Sequence, residues 1–295
     1  MIIGQACVKT KKIEGMPGGG VGFYAAGFQD RSVNLRFDAT LPVPDNTLRT
    51  IDEQPADAVG AVVRKWLNST SDAINGDASI LDTTTTIGPI VQNDVQDSKR
   101  CIRCRAEVSP PEGPALFTVT KHWGVRENLT SVVFRLNTTS PTRAKYWRPL
   151  VSCVKIPSDA DIPPLGNDGD WALGYRLDVG YCFALRIGIQ RYSTLLPLTR
   201  NEVTLLQSQI YYAENGAIRV WIRLKRPGVS ATVIDVQLFS AAETGSSQRR
   251  RDKWHLGMAG WIEGLIFEVR SDVVTRGTTE ATAIATELET KYWLA

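Results

Sequence analysis

From residue 87 onward the chain is a succession of short apolar segments, each ended by a turn. This pattern limits the fold to architectures built from many short strands. Candidate strands occupy residues 100–108, 116–121, 131–136, 150–156, 173–179, 183–190, 203–213, 217–224 and 232–239. Asn215-Gly216 lies between two β-branched and aromatic runs, which is typical of a hairpin. Many short strands joined by turns predict an antiparallel sandwich or barrel rather than a parallel α/β sheet.

The hydrophobic period changes once, in the C-terminal stretch. Residues 258–274 are rich in apolar, β-branched and aromatic side chains, which predicts a buried strand. Gly277 follows, and then apolar residues recur at helical spacing. The members of this stripe are Ala281, Ile284, Ala285, Leu288 and Tyr292. The sequence therefore predicts a short amphipathic helix, which Thr278 or Thr279 can cap with a side-chain oxygen.

This stretch resembles the end of the LamG-like, concanavalin A-like jelly-roll modules that are common in phage structural and cell-surface proteins. The matching residues are Gly260, Ile262, Glu263, Ile266, Phe267, Ile284, Leu288, Lys291, Tyr292 and Trp293. The link departs from the pattern, because residues 273–277 replace the usual Arg-Ala-Leu-Ser. The resemblance implies a mainly β fold: a concanavalin A-like antiparallel β-sandwich (jelly roll) with an N-terminal extension and a short C-terminal helix.

Two regions are predicted along the chain. Residues 87–295 form the LamG-like sandwich with its C-terminal helix. Residues 1–86 form an N-terminal extension or docking region, with one early strand at residues 32–37 and one helix at residues 55–67. The helix is predicted because Ala58, Val59, Val62, Val63 and Trp66 share one helical face. The region can be a separate unit or an insertion in the sandwich.

Composition limits the partners. The chain has 295 residues, 43% of them hydrophobic and 22% charged, as in an ordinary globular protein. The net charge of +3 argues against nucleic acid or a membrane surface as partner. No apolar run approaches the ~20 residues that a membrane-spanning helix needs. The first residues also lack the pattern of a secretory signal.

Two motifs could carry chemistry but also have structural interpretations. Cys101 and Cys104 form a C-x-x-C, which can bind zinc or exchange disulfides. No second pair follows at zinc-finger spacing, so a strand with Ile102 on one face is favoured.

Among carboxylates, Glu263 and Glu268 are five residues apart, so strand alternation directs them to opposite faces and they do not form a glycosidase pair. The chain has two histidines and no G-x-S-x-G. These observations favour a protein that is not an enzyme.

An acidic loop offers oxygen ligands for a cation. Asp159, Asp161, Asp168 and Asp170 lie within about a dozen loop residues, and hard carboxylate oxygens suit calcium. The spacing is not that of an EF-hand, and a solvated acidic loop is the alternative. The sequence therefore predicts either no cofactor or calcium.

Aromatic residues near predicted turns suggest a sugar-binding loop, because the apolar faces of sugars stack on aromatic rings. The candidate glycan-binding residues are Trp147, Asn167, Asp168, Asp170 and Trp171. Tyr146, Trp123, Tyr192, Tyr211 and Tyr212 belong to the same group of aromatics. Core or interface packing is the alternative for each ring.

A basic cluster, Arg249, Arg250 and Arg251, is interpreted as a docking element at a hairpin tip. The resemblance to the jelly-roll modules implies a virion structural protein of a tailed phage: a decoration, collar, baseplate or fibre-associated protein. Its expected partners are copies of itself, other virion proteins and a host polysaccharide. It would be located in the virion, after assembly in the host cytoplasm. A glycan-active enzyme on a jelly-roll fold and a bacterial cell-surface lectin are the alternatives.

Overall fold

The computed structural model contains two antiparallel β-sheets and a C-terminal helix. It describes residues 34–70, 77–80, 89–94, 96, 98–104, 117–119, 128–137, 147–152, 165, 170–187, 189–240, 242, 254–256 and 264–293. Strands are numbered in chain order. The predicted antiparallel β-sandwich is confirmed.

In the described residues the first sheet has eight strands. Its order is β15 (Val229–Phe239), β14 (Ile218–Arg226), β13 (Val203–Tyr212), β8 (Asn128–Leu136), β17 (Gly264–Val273), β6 (Arg100–Cys104) and β5 (Ile90–Asn93), with β1 (Leu35–Asp38) also paired to β17. The second sheet has nine. Its order is β12 (Ile189–Leu196), β11 (Gly180–Ile187), β10 (Trp171–Arg176), β9 (Arg148–Ser152), β16 (Trp254–Leu256), β7 (Phe117–Val119), β4 (Ala78–Ile80), β3 (Lys65–Trp66) and β2 (Leu48–Arg49).

The main core lies between the two sheets. Phe134 of β8 meets Tyr181 of β11 edge to face, with ring centroids 5.9 Å apart. Phe37 of β1 and Trp66 of β3 make a second aromatic contact between the sheets, at 5.6 Å. All four side chains are fully buried. Burial of aromatic area is the largest stabilising contribution available to such a sandwich.

Most elements predicted from the hydrophobic period are confirmed. Each candidate strand from residue 100 to residue 239 overlaps a strand of the structure. The hairpin at Asn215-Gly216 is confirmed by antiparallel pairing of β13 with β14. Cys101 lies on β6 with a buried thiol that donates to the Gln92 carbonyl, and its neighbour Ile102 belongs to the main core. The strand interpretation of the C-x-x-C is therefore confirmed.

The predicted C-terminal helix is confirmed as α1 (Thr279–Trp293). It begins just after Gly277, whose φ of +77° favours glycine. Thr278 caps it, because its Oγ1 accepts a hydrogen bond from the Ala281 backbone N–H at 3.2 Å. The whole predicted stripe is buried. It packs with Leu129, Val133, Val203, Leu205 and Phe267 in a second hydrophobic cluster. The helix thus covers part of the first sheet on the side away from the main core.

The predicted helix at residues 55–67 is wrong. The segment consists of turns and bridges and ends in β3. Gly60 has a φ of +88°, outside the range of a right-handed helix, and Val59 is 64% exposed. Val63 and Trp66, by contrast, are fully buried. Their spacing imitates a helical face, but tertiary contacts with the second sheet decide the conformation.

The predicted division between residues 86 and 87 leaves open whether the first region is a separate unit or part of the sandwich. β1 pairs with β17 of the first sheet, and β2, β3 and β4 belong to the second sheet. Residues 35–80 therefore contribute strands to the same two sheets as the rest of the chain. Residues 1–33, with the glycine-rich segment, lie outside the described residues.

Candidate functional site

One part of the outward side of the first sheet is not covered by α1. It is formed by β14, β15 and the Tyr211 end of β13, since Val203 and Leu205 at the other end of β13 lie beneath α1, and we call it the open face. Strand alternation produces it: along β14, Ile218, Val220, Ile222 and Leu224 point into the main core. The alternate residues point outward. They are Arg219, Trp221, Arg223 and Lys225.

Strand register arranges the open face in three rows. Each row has one residue from β13, one from β14 and one from β15. The first is Tyr211, Arg219 and Gln237; the second is Gln209, Trp221 and Asp235; the third is Gln207, Arg223 and Val233. The indole of Trp221 is thus surrounded by amide, carboxylate and guanidinium groups. Gln207 and Gln209 are buried, so the accessible part of these rows consists of Tyr211 and the outward residues of β14 and β15, on strands that lie about 4.8 Å apart.

Trp221 is packed in part and exposed in part. Its ring contacts the hydrophobic cluster beneath α1, and the residue is only partly buried. Packing against a buried cluster restricts the ring to a fixed orientation. An amphipathic aromatic ring fixed in this way is suited to stacking against a ligand.

Asp235 organises the polar groups beside Trp221. Its Oδ1 accepts a hydrogen bond from Arg219 Nε at 2.8 Å, and its backbone carbonyl accepts one from Arg219 Nη2 at 3.0 Å. The Tyr211 hydroxyl donates to Oδ2 of the same carboxylate. The three side chains remain partly exposed, with Arg219 at 30% and Asp235 at 33%. The cluster is therefore preorganised and still accessible.

Arg276 completes this cluster from the segment that joins β17 to α1. Its guanidinium carbon lies 3.6 Å from the centroid of the Tyr211 ring, which is a close cation–π contact. Gln209 fixes the segment: its Nε2 donates to the Val274 carbonyl and its Oε1 accepts from the Arg276 backbone N–H, each at 2.8 Å. A buried glutamine thus positions Arg276 over the tyrosine.

The electrostatics keep Tyr211 neutral. Burial raises the pKa of its phenol, and the hydrogen bond to Asp235 raises that pKa further. A phenol with a raised pKa acts at neutral pH as a hydrogen-bond donor and not as a general base. At neutral pH the phenol therefore keeps the proton that it donates to Asp235.

The third row links the open face to α1. Arg223 forms an ion pair with Glu289 of the helix, and its Nη1 donates to Gln207 Oε1 at 3.1 Å. Gln207 Nε2 in turn donates to Ser131 Oγ at 3.1 Å. The helix thus borders the open face and restrains its outward arginine.

The described residues that are predicted to bind glycan, Trp147, Asp170 and Trp171, do not lie on the open face. Trp147 and Trp171 are 1% and 2% exposed, so the assumption that their rings are accessible at strand ends is wrong. Trp171 points into the main core and stacks on Phe183, with centroids 5.8 Å apart and planes 3° from parallel. Asp170 is fully buried. Packing interactions explain these positions, which is the alternative noted for each ring.

Other predicted residues fall outside the described part of the chain: Asn167, Asp168, Asp159, Asp161, Arg249, Arg250 and Arg251. Their glycan-binding, calcium-binding and docking roles stay predictions. Within the described residues there is no group of three or more His, Cys, Asp or Glu side chains that could hold a metal ion. No described helix is both long enough and apolar enough to cross a membrane.

The comparisons with known proteins give only distant likenesses. No family model matches the chain, and no curated protein sequence does. The Ruminococcus gnavus IT-sialidase CBM40 aligns with 60% of this chain and 95% of its own, at 11% identity and a TM-score of 0.36. The PL-14 alginate lyase of Aplysia kurodai covers 62% and 85%, at 9% identity and a TM-score of 0.39. Peanut lectin covers 81% and 96%, at 9% identity and a TM-score of 0.33. Likenesses at this level do not assign a function.

Proposed function

We propose that the protein is a non-enzymatic carbohydrate-binding β-sandwich and that the open face is its binding surface. The observation that carries the proposal is the row arrangement with Trp221 at its centre. The apolar C–H face of a sugar ring stacks on an indole, while ring hydroxyls need donors and acceptors at the rim. The exposed amide of Gln237 and the guanidinium of Arg219 lie at that rim.

Rigidity supports binding at this surface. Gln207 and Gln209 are 1% and 3% exposed, and both amides are already hydrogen-bonded to the scaffold. Arg219, Arg223 and Arg276 each have a partner that restricts the guanidinium. A preorganised surface loses less conformational entropy when a ligand binds.

Binding without cleavage is part of the proposal. Tyr211 keeps its proton at neutral pH, and Asp235 already accepts hydrogen bonds from Arg219 and Tyr211. Neither group is free to act as a base toward a bound sugar. Release of reducing or unsaturated sugar from any polysaccharide would instead favour the alternative of a glycan-active enzyme.

The decisive experiment is a glycan and polysaccharide array probed with the wild type, Trp221→Ala and Ile189→Ala. Ile189 is 55% exposed on β12 of the second sheet, so Ile189→Ala is a matched surface control. We expect binding by the wild type and the control. We expect Trp221→Ala to lose about 1–3 kcal/mol of binding free energy, the range of an aromatic stacking contact plus its buried area. Equal binding by all three proteins would refute the assignment of the surface.

We further propose that this binding serves a tailed-phage particle, in which the sandwich docks on a symmetric assembly of its own copies and other virion proteins. The support is the resemblance of the C-terminal strand and helix to phage modules. Native mass spectrometry of the full chain tests the self-association, with closed oligomers expected. A monomer at all concentrations would count against a virion role while leaving carbohydrate binding intact.

A further inference from the structure

The charges of the open face are not balanced. Four cations lie on it or over it: Arg219, Arg223, Lys225 and Arg276. Within the described residues, only two carboxylates pair with them: Asp235 and Glu289. Arg223 and Glu289 neutralise each other. Two positive charges are therefore left over.

The unbalanced positive charge lies at two separate points of the open face. At one end Arg219 and Arg276 share the single carboxylate of Asp235, with Arg276 Nη2 3.9 Å from its Oδ2. At the other end, in the described part of the chain, the Lys225 ammonium donates only to the Val229 carbonyl, at 2.6 Å. Arg219 and Lys225 are six residues apart on one extended strand, which is roughly 20 Å.

Trp221 lies between these points on the same side of β14, two residues from Arg219. The outward side of β14 thus presents, in order, the Arg219 guanidinium, the Trp221 ring, the neutral Arg223–Glu289 ion pair and the Lys225 ammonium. A single sugar ring is too small to reach both cations. An extended chain that runs along β14 can reach both and stack on the indole between them.

From this arrangement we infer that the ligand is an acidic polysaccharide, bound as an extended segment along β14 with anionic groups near Arg219 and near Lys225. The inference rests on the proposed function and narrows its substrate class. Guanidinium groups favour oxyanions that accept two parallel hydrogen bonds, and carboxylates and sulfates both have the two oxygens that this requires. Exposed cations of this kind add selectivity and faster association, and salt weakens their effect.

The test compares acidic polymers with neutral counterparts. The probes are polygalacturonate, alginate, hyaluronate and dextran sulfate, against fully methyl-esterified polygalacturonate and dextran. Affinity is measured by biolayer interferometry at low and high salt. The variants are the double Lys225→Gln/Arg276→Gln, Trp221→Ala, and Lys65→Gln as a matched charge control on β3 of the second sheet.

At low salt the wild type should bind at least one acidic polymer about tenfold more tightly than the neutral forms, and high salt should shrink that ratio. The double variant should lose most of this preference for acidic over neutral polymer, and Lys65→Gln should keep it. A preference for dextran sulfate over the three uronate polymers would identify sulfate as the anion. Among oligomers of the preferred polymer, affinity should rise until the chain spans both cationic points.

Failure of this inference is distinguishable from failure of the proposed function. Equal affinity for acidic and neutral polymers, lost in both cases by Trp221→Ala, would leave a carbohydrate-binding surface and overturn its acidic ligand. A double variant that keeps the full ratio would also overturn it. No binding to any polymer by correctly folded wild type would reject both.

Discussion

The outward side of the first sheet has two halves that differ in what covers them. Beneath α1 the outward side chains are apolar residues such as Val133 and Phe267, or buried charges such as Glu268. On the open face they are aromatic, amide and guanidinium groups around Trp221. Strand alternation determines which residues point outward, except at the bulge between Ile266 and Glu268 in β17, where the adjacent Phe267 and Glu268 both face the helix. The position of the helix determines which of them can meet a ligand.

The covered half contains a buried ionic network. Glu268 is fully buried, and its Oε2 accepts hydrogen bonds from Lys291 Nζ at 2.8 Å and from the Tyr292 hydroxyl at 3.0 Å. Arg36 Nε lies 2.8 Å from Glu268 Oε1. Lys291 Nζ also lies 2.5 Å from Asp38 Oδ2. The same kinds of charged group therefore attach the helix in one half and remain accessible in the other.

The largest expected effect is on stability in the covered half. Glu268→Gln removes the charge shared by Arg36 and Lys291 and leaves cations in a desolvated site. We expect a loss of about 3–5 kcal/mol in the free energy of unfolding, measured by urea denaturation. Glu214→Gln, in the exposed turn after β13, should change it by less than about 0.5 kcal/mol. Equal stability of the two variants would contradict the role of the network.

A slightly smaller loss is expected from Leu288→Ala. Leu288 is fully buried where α1 meets the first sheet, so truncation leaves a cavity. The expected loss is about 2–5 kcal/mol in the free energy of unfolding. Thr286→Ala, on the exposed side of the same helix, provides the matched control. If both variants unfold at the same urea concentration, α1 does not depend on this packing.

The helix cap should have a smaller effect. Thr278→Ala removes the oxygen that accepts the Ala281 N–H, and we expect a loss of about 1 kcal/mol in the free energy of unfolding. Thr279→Ala should be closer to the wild type, since the described cap bond involves Thr278. A larger loss from Thr279→Ala would show that the helix begins one residue later.

The smallest expected effect is seen at alkaline pH and concerns one tyrosine in each half: Tyr292 beneath the helix and Tyr211 on the open face. Burial first, and the charge of Glu268 second, raise the pKa of Tyr292 well above its ordinary value of 10.0. The pKa of Tyr211 is raised too, but its surroundings are more open. Because both folded values exceed the unfolded ones, each phenol favours folding below about pH 10, and that contribution is lost as the pH rises through the folded value.

Phenolate absorbance tests this difference. In the wild type, Tyr211 should ionise reversibly above pH 10, and a Tyr211→Phe variant should lack that step. Tyr292 should ionise only at higher pH, together with loss of the fold. Ionisation of Tyr292 at its ordinary pKa in folded protein would contradict its burial beneath the helix.

Much of the fold could be predicted from the sequence because local patterns and tertiary contacts agree. The stripe from Ala281 to Tyr292 is buried as its period predicts, and the Asn215-Gly216 turn joins paired strands. Residues 55–67 are the exception. There, apolar spacing suggested a helix, but Gly60 has a left-handed conformation and Trp66 is buried against the sheets.

The candidate site could be predicted only in part. Tyr211 belongs to the aromatic residues that the sequence places near predicted turns. The alternation of residues 217–224 directs Trp221 and the arginines to one face. Whether that face is accessible depends on where α1 packs, which no local pattern records. Trp171 is the opposite case. The polar loop before it favours an exposed ring, but the ring is buried in the core, where it stacks on Phe183.

Whether carbohydrate binds at Trp221 can be tested by NMR on protein with isotope-labelled tryptophan, titrated with oligosaccharide. The chain has eight tryptophans, and Trp221→Phe assigns one indole N–H signal. Addition of the best-binding oligosaccharide should shift the Trp221 signal most and leave those of Trp147 and Trp171 unchanged. A saturable shift of another indole signal, with that of Trp221 unmoved, would place the carbohydrate site away from the open face and contradict the account.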